Sequence, residues 1–380
     1  LSHFPTFLSA TCSAVKRFCQ GKLRMLCIDG SYGEGGGQIL RTSLALSVIL
    51  RQPLQVDRIR SGRKKPGLMP QHLTGVEAIA RISGGAVEGA ELHSEKIVFH
   101  PGEIQAGEYK FDVARVKASA GSTGMIFQTI APPLSFAEGK SSLVLKGGTH
   151  ARWAPPIDYL SAVFLPAVRE MGFEARIATE RWGWYPEGGG IVRAEIVPTT
   201  SSEGITLEDR GALKAITGLS VVSNLPRSIA ERQRNQALKR LREKGFEADI
   251  SLIEAPSMGT GTFFFLLLEF ERLVAGFSGL GARGKRAEKV ADEAVNALFS
   301  YLETGDAVDP YLADQLILYM ALAQGPSSFT TSGISRHLLT NVWVVEQFLP
   351  VKFQVQGRLG TPGRVRVEGI GPLSRREIEG

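Results

Sequence analysis

His337 lies in the segment Ser335-Arg-His337-Leu-Leu-Thr340-Asn341, in which Leu338, Val342, Val345 and Leu349 recur at helical spacing. The pattern predicts a helix beginning near Ser335, with His337, Thr340 and Asn341 turned away from the apolar stripe. At the positive end of a helix dipole an imidazolium is disfavoured. The ring therefore stays neutral and nucleophilic, beside amides that can hold phosphate. A capping or purely structural histidine would fit the same place. The other histidines (His3, His72, His93, His100 and His150) are less well placed, and none forms a His-x3-His metal pair.

Gly30-Ser-Tyr-Gly-Glu34-Gly-Gly-Gly-Gln38 falls between a strand-like run, Met25 to Ile28, and a helical pattern from Gln38 to Leu50. Bare amides ahead of a helix can hold an anion, although a plain tight turn has the same composition. No Gly-x4-Gly-Lys-Ser/Thr sequence occurs, so any nucleotide is held without a Walker loop. Gly279-Leu-Gly-Ala-Arg-Gly284 matches the dinucleotide fingerprint. The helix after it runs into Asp309-Pro310 and a second helix, which leaves no parallel strand to complete that fold unit. Arg58, Arg60, Arg63, Lys64 and Lys65 precede Pro66-Gly67 and Gln71-His72. Guanidinium forks bind phosphate, and a solvated basic loop would be built from the same residues. Arg41, one turn after Gln38, could reach the same anion. Asp309-Pro310 reads as N-cap and first position of a helix with Leu312, Leu316, Met320 and Ala323 inward. Tyr311, Asp314 and Gln315 then share another face, able to read a nucleoside or simply to face water.

The elements that must position these groups alternate strand and helix. A second Glu-Gly-Gly-Gly, at residues 187–190, echoes the first and points to a duplicated unit. Polar stretches at 200–206 and 303–309 bracket a self-contained pattern: strand 214–223, basic helix 227–244, strands 248–254 and 262–277, helix 284–302. The chain of 380 residues, 43% hydrophobic and 22% charged, is globular and of a size for more than one domain. Its apolar runs are too short to span a bilayer. The net charge of +6 favours an anionic partner. Cys12, Cys19 and Cys27 all lie in the first 27 residues, which excludes a disulfide framework or a Cys-based zinc site and suits a reducing, cytoplasmic location. Residues 1–24, basic and without an acid, read as an upstream extension or early start rather than a targeting peptide.

In order, the motifs resemble the RNA 3′-terminal phosphate cyclase family, in its catalytic branch. The resemblance is carried by Asp29-Gly-Ser-Tyr-Gly-Glu-Gly-Gly-Gly-Gln-Ile-Leu-Arg41, Ile59-Arg-Ser-Gly-Arg63, Lys65-Pro-Gly-Leu68, Pro70-Gln-His-Leu73, Ala120-Gly-Ser-Thr123, Gly147-Gly-Thr149, Tyr185 to Gly190, Tyr311-Leu-Ala-Asp-Gln315 and His337-Leu-Leu-Thr-Asn341. It implies an α+β fold: a large domain of repeated βαβαββ-type units, interrupted by a smaller inserted α+β domain. The expected division is an N-terminal extension at 1–24, a discontinuous catalytic domain at 25–205 and 304–380, and an insert at 206–303. The implied activity is ATP-dependent conversion of an RNA 3′-phosphate to a 2′,3′-cyclic phosphodiester through a histidine-AMP and an RNA-adenylate.

Carried over by motif, His337 is the nucleophile. Gln128, Pro156, Tyr311, Leu312, Ala313, Asp314 and Gln315 are expected to bind ATP. Arg41, Arg60, Arg63 and Gln71 are expected to hold phosphate or the RNA end, and Glu34 a Mg²⁺ or Mn²⁺ ion. The implied partner is RNA with a 3′-phosphate end, with no membrane and no obligatory protein partner. Two relatives in fold compete: a ribosome-assembly factor lacking the histidine, and enolpyruvyl transferases that form no histidine adduct. Neither accounts for Arg60, Arg63 and His337 together.

Overall fold

A computed structural model describes residues 24–115 and 120–371. The first unit runs β1 (Leu26–Asp29), α1 (Gly37–Ile49), β2 (Leu54–Asp57), α2 (Pro70–Ser83), β3 (Ala86–Glu88) and β4 (Ile97–His100). Its sheet has the order β1-β2-β4-β3, with β1 and β2 parallel and the other pairs antiparallel. The second unit repeats this order. It contains β5 (Glu108–Asp112), α3 (Thr123–Leu134), β6 (Ser141–Gly147), a helical segment made of α4 (Ile157–Tyr159), a π turn (Leu160–Phe164) and α5 (Leu165–Glu170), then β7 (Ala175–Arg181) and β8 (Gly190–Ile196).

The third unit begins with β9 (Thr206–Leu207) and is then interrupted. The interruption holds β10 (Leu213–Ser223), α6 (Arg227–Arg242), β11 (Asp249–Glu254), β12 (Gly261–Phe270), β13 (Val274–Leu280) and α7 (Ala287–Thr304). Its sheet order, β11-β10-β12-β13, departs from the repeat. The third unit then resumes with α8 (Pro310–Leu322), β14 (Gln324–Thr331), α9 (Arg336–Phe348), β15 (Gln354–Gly357) and β16 (Gly363–Ile370), in the sheet order β15-β16-β14-β9. We propose that the inserted domain is the segment between β9 and α8. Its start then falls inside the expected 206, because residues 206–207 pair with β14.

The α+β class and the repeated units agree with expectation. The second Glu-Gly-Gly-Gly leads into strand β8, whereas the first leads into helix α1, so the two triplets sit at different places in their units. One sequence reading needs correction. The run 262–277 is two strands, β12 and β13, turned at Glu271 and Arg272. Residues 1–23, with nearly all of the expected N-terminal extension, and residues 372–380 lie outside the described residues.

The insert's sheet is apolar on both faces, which fixes it against the rest. Side chains alternate across a strand. Phe264, Leu266, Leu268 and Phe270 of β12 pack beneath α6 and α7 in a core of their own. Phe263 and Phe265 face the opposite way, into the core shared with the three units. Among the described residues no helix is long and apolar enough to cross a membrane.

Candidate active site

The site forms where the helix N-termini of the first and third units meet. Helix α9 is capped by Ser335, whose hydroxyl accepts from the Leu338 amide at 3.0 Å. Leu338, Val344, Val345 and Phe348 are buried beneath the helix. His337 stands in the first turn with 48% of its side chain exposed. The glycine loop ahead of α1 runs antiparallel along the helix, one loop residue per helical turn. Tyr32 stacks on Trp343 with ring centroids 3.9 Å apart. Gly33 lies on Thr340, and the Glu34 amide donates to Thr340 Oγ1 at 3.1 Å. Glu34 Oε2 then sits 3.9 Å from His337 Nδ1. Gly33 has φ +57°, and a Cβ there would come within 2.5 Å of Thr340 Oγ1, so glycine is needed for this approach.

Thr340 and Asn341 are off the apolar stripe, as their spacing predicts, yet both are buried. They act as braces rather than as solvent-facing partners of His337. Thr42 donates to Asn341 Oδ1 at 2.8 Å, and Asn341 Nδ2 donates to the Asp314 carbonyl at 2.8 Å. Helices α1, α8 and α9 are thereby tied together at the site.

Beside His337 lies a cleft of about 410 Å³. Gln38, Arg41 and Gln128 line it from α1 and α3, Tyr311, Asp314 and Gln315 from α8, and Pro156 from the loop before α4. Gln128 Nε2 donates to Gln315 Oε1 at 2.7 Å, and Gln315 Nε2 to the Tyr311 carbonyl at 2.8 Å. The Tyr311 ring is 56% exposed and meets Tyr159 edge-on at 6.3 Å. Asp309 caps α8, accepting from the amides of Tyr311 and Leu312 at 2.9 and 3.0 Å and from the Tyr159 hydroxyl at 2.8 Å.

Burial dominates the electrostatics. It pushes the Asp314 carboxyl up to about 8, opposed by the nearby Arg41 charge and reinforced by Asp309. Burial also lowers Arg41 to about 10, with Asp314 pulling the other way. The His337 ring is held below its usual range by burial, then by Arg41 and Arg63, and so stays neutral at pH 7. His72, pushed down to about 3 by burial and by Arg60 and Arg41, accepts from the Met69 amide through Nδ1 at 3.1 Å. A neutral ring accepting at Nδ1 carries its proton on Nε2. That Nε2 lies directly under Gly37, where a Cβ would collide with it, next to Arg41 Nη1.

The structure thus brings His337, Glu34, Arg41, Gln128, Pro156, Tyr311, Asp314 and Gln315 together. Leu312 and Ala313, expected at the nucleotide, have side chains buried in the core, because α8 turns that face inward. Arg63 ion-pairs with Glu34 and donates to its carbonyl at 3.0 Å. Arg60 braces its own loop, Nη1 donating to the Lys65 and Gly67 carbonyls at 2.9 and 2.8 Å. Gln71 accepts from the Ser122 amide at 3.1 Å and lies beside Arg41 and His72 in a smaller pocket.

Sequence reasoning passed over His72, Tyr159, Asn341 as a brace, and the contribution of β13, whose Gly276 and Ser278 also line the cleft. The one available signal was His72 following Gln71 directly after the basic loop. The rest depend on contacts between distant segments.

The family model for RNA 3′-terminal phosphate cyclase matches residues 32–355. Proteins named RNA 3′-terminal phosphate cyclase are similar over most of their length. The one from Gloeothece citriformis is 45% identical over 85% of this chain and 93% of its own. The one from Methylococcus capsulatus is 42% identical over 91% and 97%, and that from Pyrococcus furiosus 40% over 90% and 98%. The solved enolpyruvyl transferase NikO from Streptomyces tendae overlays 93% of this chain but half of its own, 50%, at 10% identity and a TM-score of 0.38, too distant to bear on function. With the helix-borne histidine, the glycine loop laid along it and the nucleotide-sized cleft at its side, these matches place the chain in the RNA 3′-terminal phosphate cyclase family.

Proposed function

We propose that this protein closes RNA 3′-phosphates to 2′,3′-cyclic phosphodiesters at the expense of ATP, with His337 carrying AMP between the two substrates. The observation that carries this reading is the neutral His337 ring set between the cleft and Glu34. Tyr311 and Pro156 offer flat surfaces for the adenine, and the Gln128–Gln315 amide pair supplies its hydrogen-bonding edge. Arg41, with His72 Nε2–H and the amides of the glycine loop, faces the phosphates.

His337 Nδ1 is turned toward the carboxylate, so Nε2 is free to attack the α-phosphorus. As that P–N bond forms, the bond to the β-phosphate oxygen breaks and pyrophosphate leaves. An oxygen of the RNA 3′-phosphate next displaces the imidazole, forming a P–O bond as the P–N bond breaks. The adjacent 2′-hydroxyl, already at high effective concentration, then attacks the 3′-phosphorus, its proton passes to solvent, and AMP departs. Glu34, facing Nδ1, stabilises the positive charge that the ring carries while phosphorylated at Nε2.

Among the described residues no group of three or more His, Cys, Asp or Glu side chains could hold a metal ion by itself. Glu34 suits the other arrangement, in which a hard divalent cation takes one carboxylate and several phosphate oxygens. Such an ion would offset triphosphate charge and help pyrophosphate leave. Its binding to Glu34 would release Arg63 toward the phosphates. A reducing, cytoplasmic setting fits the free Cys27 thiol.

The test is incubation with ATP labelled at the α-phosphate and Mg²⁺ or Mn²⁺. Acid-labile, alkali-stable label on the protein, absent in His337→Ala, is expected. Unlabelled wild-type protein that still turns RNA 3′-phosphates into cyclic ends would rule out the covalent carrier.

A further inference from the structure

The stack of Tyr32 on Trp343 is not used by the chemistry above, and neither ring lines the adenylate cleft. The rings are nearly parallel, 15° apart at 3.9 Å, so Trp343 covers one face of Tyr32. Tyr32 nonetheless remains 44% exposed. An aromatic ring backed by a second ring, with its outer face open to water, is the arrangement on which nucleobases stack. Its neighbours extend the surface. Arg336, Leu339 and Trp343 fall at i, i+3 and i+7 on α9, one face of the helix. Leu339 is an exposed apolar side chain at 39%, and Arg336 is exposed as well. The basic loop reaches the same place through Arg63 on Glu34, bringing exposed Lys64 and Lys65 with it. Apolar and aromatic faces interleaved with cations suit a single strand of nucleic acid better than a protein surface, whose core would exclude lysine.

We propose that Tyr32, backed by Trp343, is the stacking platform for a nucleobase at the 3′ end of the RNA. Its distance along the loop fits this role, with one residue, Gly33, between the platform and Glu34. A 3′-phosphate brought to His337 therefore has its own nucleoside within reach of the ring. The proposal rests on the cyclase reading of the same site, and its test separates the two. Because every base has a π face, the platform would accept RNA ends of any sequence.

The experiment crosses a protein variant with a base deletion. Binding of fluorescent RNA oligonucleotides with 3′-phosphate ends, one normal and one abasic at its last two nucleosides, is measured by anisotropy with wild type, Tyr32→Leu and Tyr32→Phe. Protein labelling by ATP alone is measured in parallel. Tyr32→Leu is expected to weaken binding of the normal end about tenfold and of the abasic end hardly at all, with Tyr32→Phe close to wild type. Equal weakening of both RNAs, or no weakening of either, overturns the platform. Tyr32→Leu protein that loses ATP labelling but binds both RNAs normally also overturns it, and identifies the stack as a brace for the glycine loop. The binding arms need no catalysis. A wild type that fails to label with ATP therefore counts against the histidine-AMP reading, and the RNA cross still decides the platform.

Discussion

Two clusters of cations in this molecule differ in how far carboxylates neutralise them, and the difference rests chiefly on the buried Arg41. Helix α6 of the insert carries Arg227, Arg232, Arg234, Lys239, Arg240, Arg242 and Lys244 at or near it. Most of these face carboxylates: Arg227 meets Glu254 at 3.0 Å, Arg232 meets Glu288 at 2.8 Å and Arg240 meets Asp292 at 2.8 Å, while Lys239 and Arg242 reach Glu243 and Glu247 at 4.0 and 3.6 Å. Around His337, Arg41 has no carboxylate within ion-pair distance among the described residues, Arg60 is spent on carbonyls, and Arg63 shares Glu34 with the histidine. Cation count is therefore a poor guide to an anion site. What distinguishes one is burial of cations that have not been neutralised, a state that costs stability and is relieved when a phosphate arrives.

The contrast can be broken by mutation. The largest effect is expected for His337→Ala, with loss of ATP labelling and at least a ~10³-fold fall in cyclisation, while the melting temperature stays near that of wild type. Arg41→Gln should lower kcat/KM for cyclisation by ~10–100-fold, the scale of one charged hydrogen bond of about 1.5–3 kcal/mol. If Arg41→Gln acts no more strongly than a variant on α6, the contrast fails.

The pH profile sharpens the same point. Burial, Arg41 and Arg63 depress the His337 pKa, so the acid limb of ATP labelling should lie below the ordinary imidazole value of about 6.5. Arg63→Gln removes one of those cations and should move that limb upward. A downward move would show that Arg63 does not act on the ring through its charge.

Asp314 gives a stability test. Its folded pKa, raised to about 8, exceeds the unfolded carboxylate value, so its contribution is fully present below about pH 4 and is lost as pH rises through about 8. Asp314→Asn should therefore raise the melting temperature by roughly 2–4 °C at pH 8.5 and by much less at pH 4.5. A gain independent of pH would mean that the carboxylate is not strained. The smallest effect belongs to α6. Arg232→Gln and Arg240→Gln together should change kcat/KM less than about twofold and lower the melting temperature only slightly, as expected of ion pairs at the surface.

Much of the local structure was legible because it follows from local rules. Ser335 and Asp309 were readable as caps, and Tyr311, Asp314 and Gln315 as one helical face, since spacing alone decides such things. The apolar pattern showed the insert's elements to within a few residues, apart from the turn at Glu271 and Arg272. There Phe263 to Leu268 and Val274 to Phe277 are all apolar, and no period reveals the break. The triple glycine at 188–190 pointed to the duplication without marking its register, because identical tripeptides serve different turns. Nothing local could show that Arg60 would fold back on its own loop, that His72 would lie under Gly37, or that Trp343 would carry Tyr32.

The interruption of the third unit bears on the order in which the chain becomes active. Strand β9 cannot pair with β14 until everything between them has been made and folded out of the way, and the bond from Glu34 to Thr340 closes a separation of 306 residues. Contacts of such high order pay their loop-closure entropy before any reward arrives and so form late. The first two units can reach the emerging chain with their strands already paired. The proposed nucleophile arrives late, on the helix that also locks the glycine loop. On the proposed reading, a truncated chain ending before α9 would keep most of the cleft's lining and lack His337, so adenylation would report that the third unit had been made and docked.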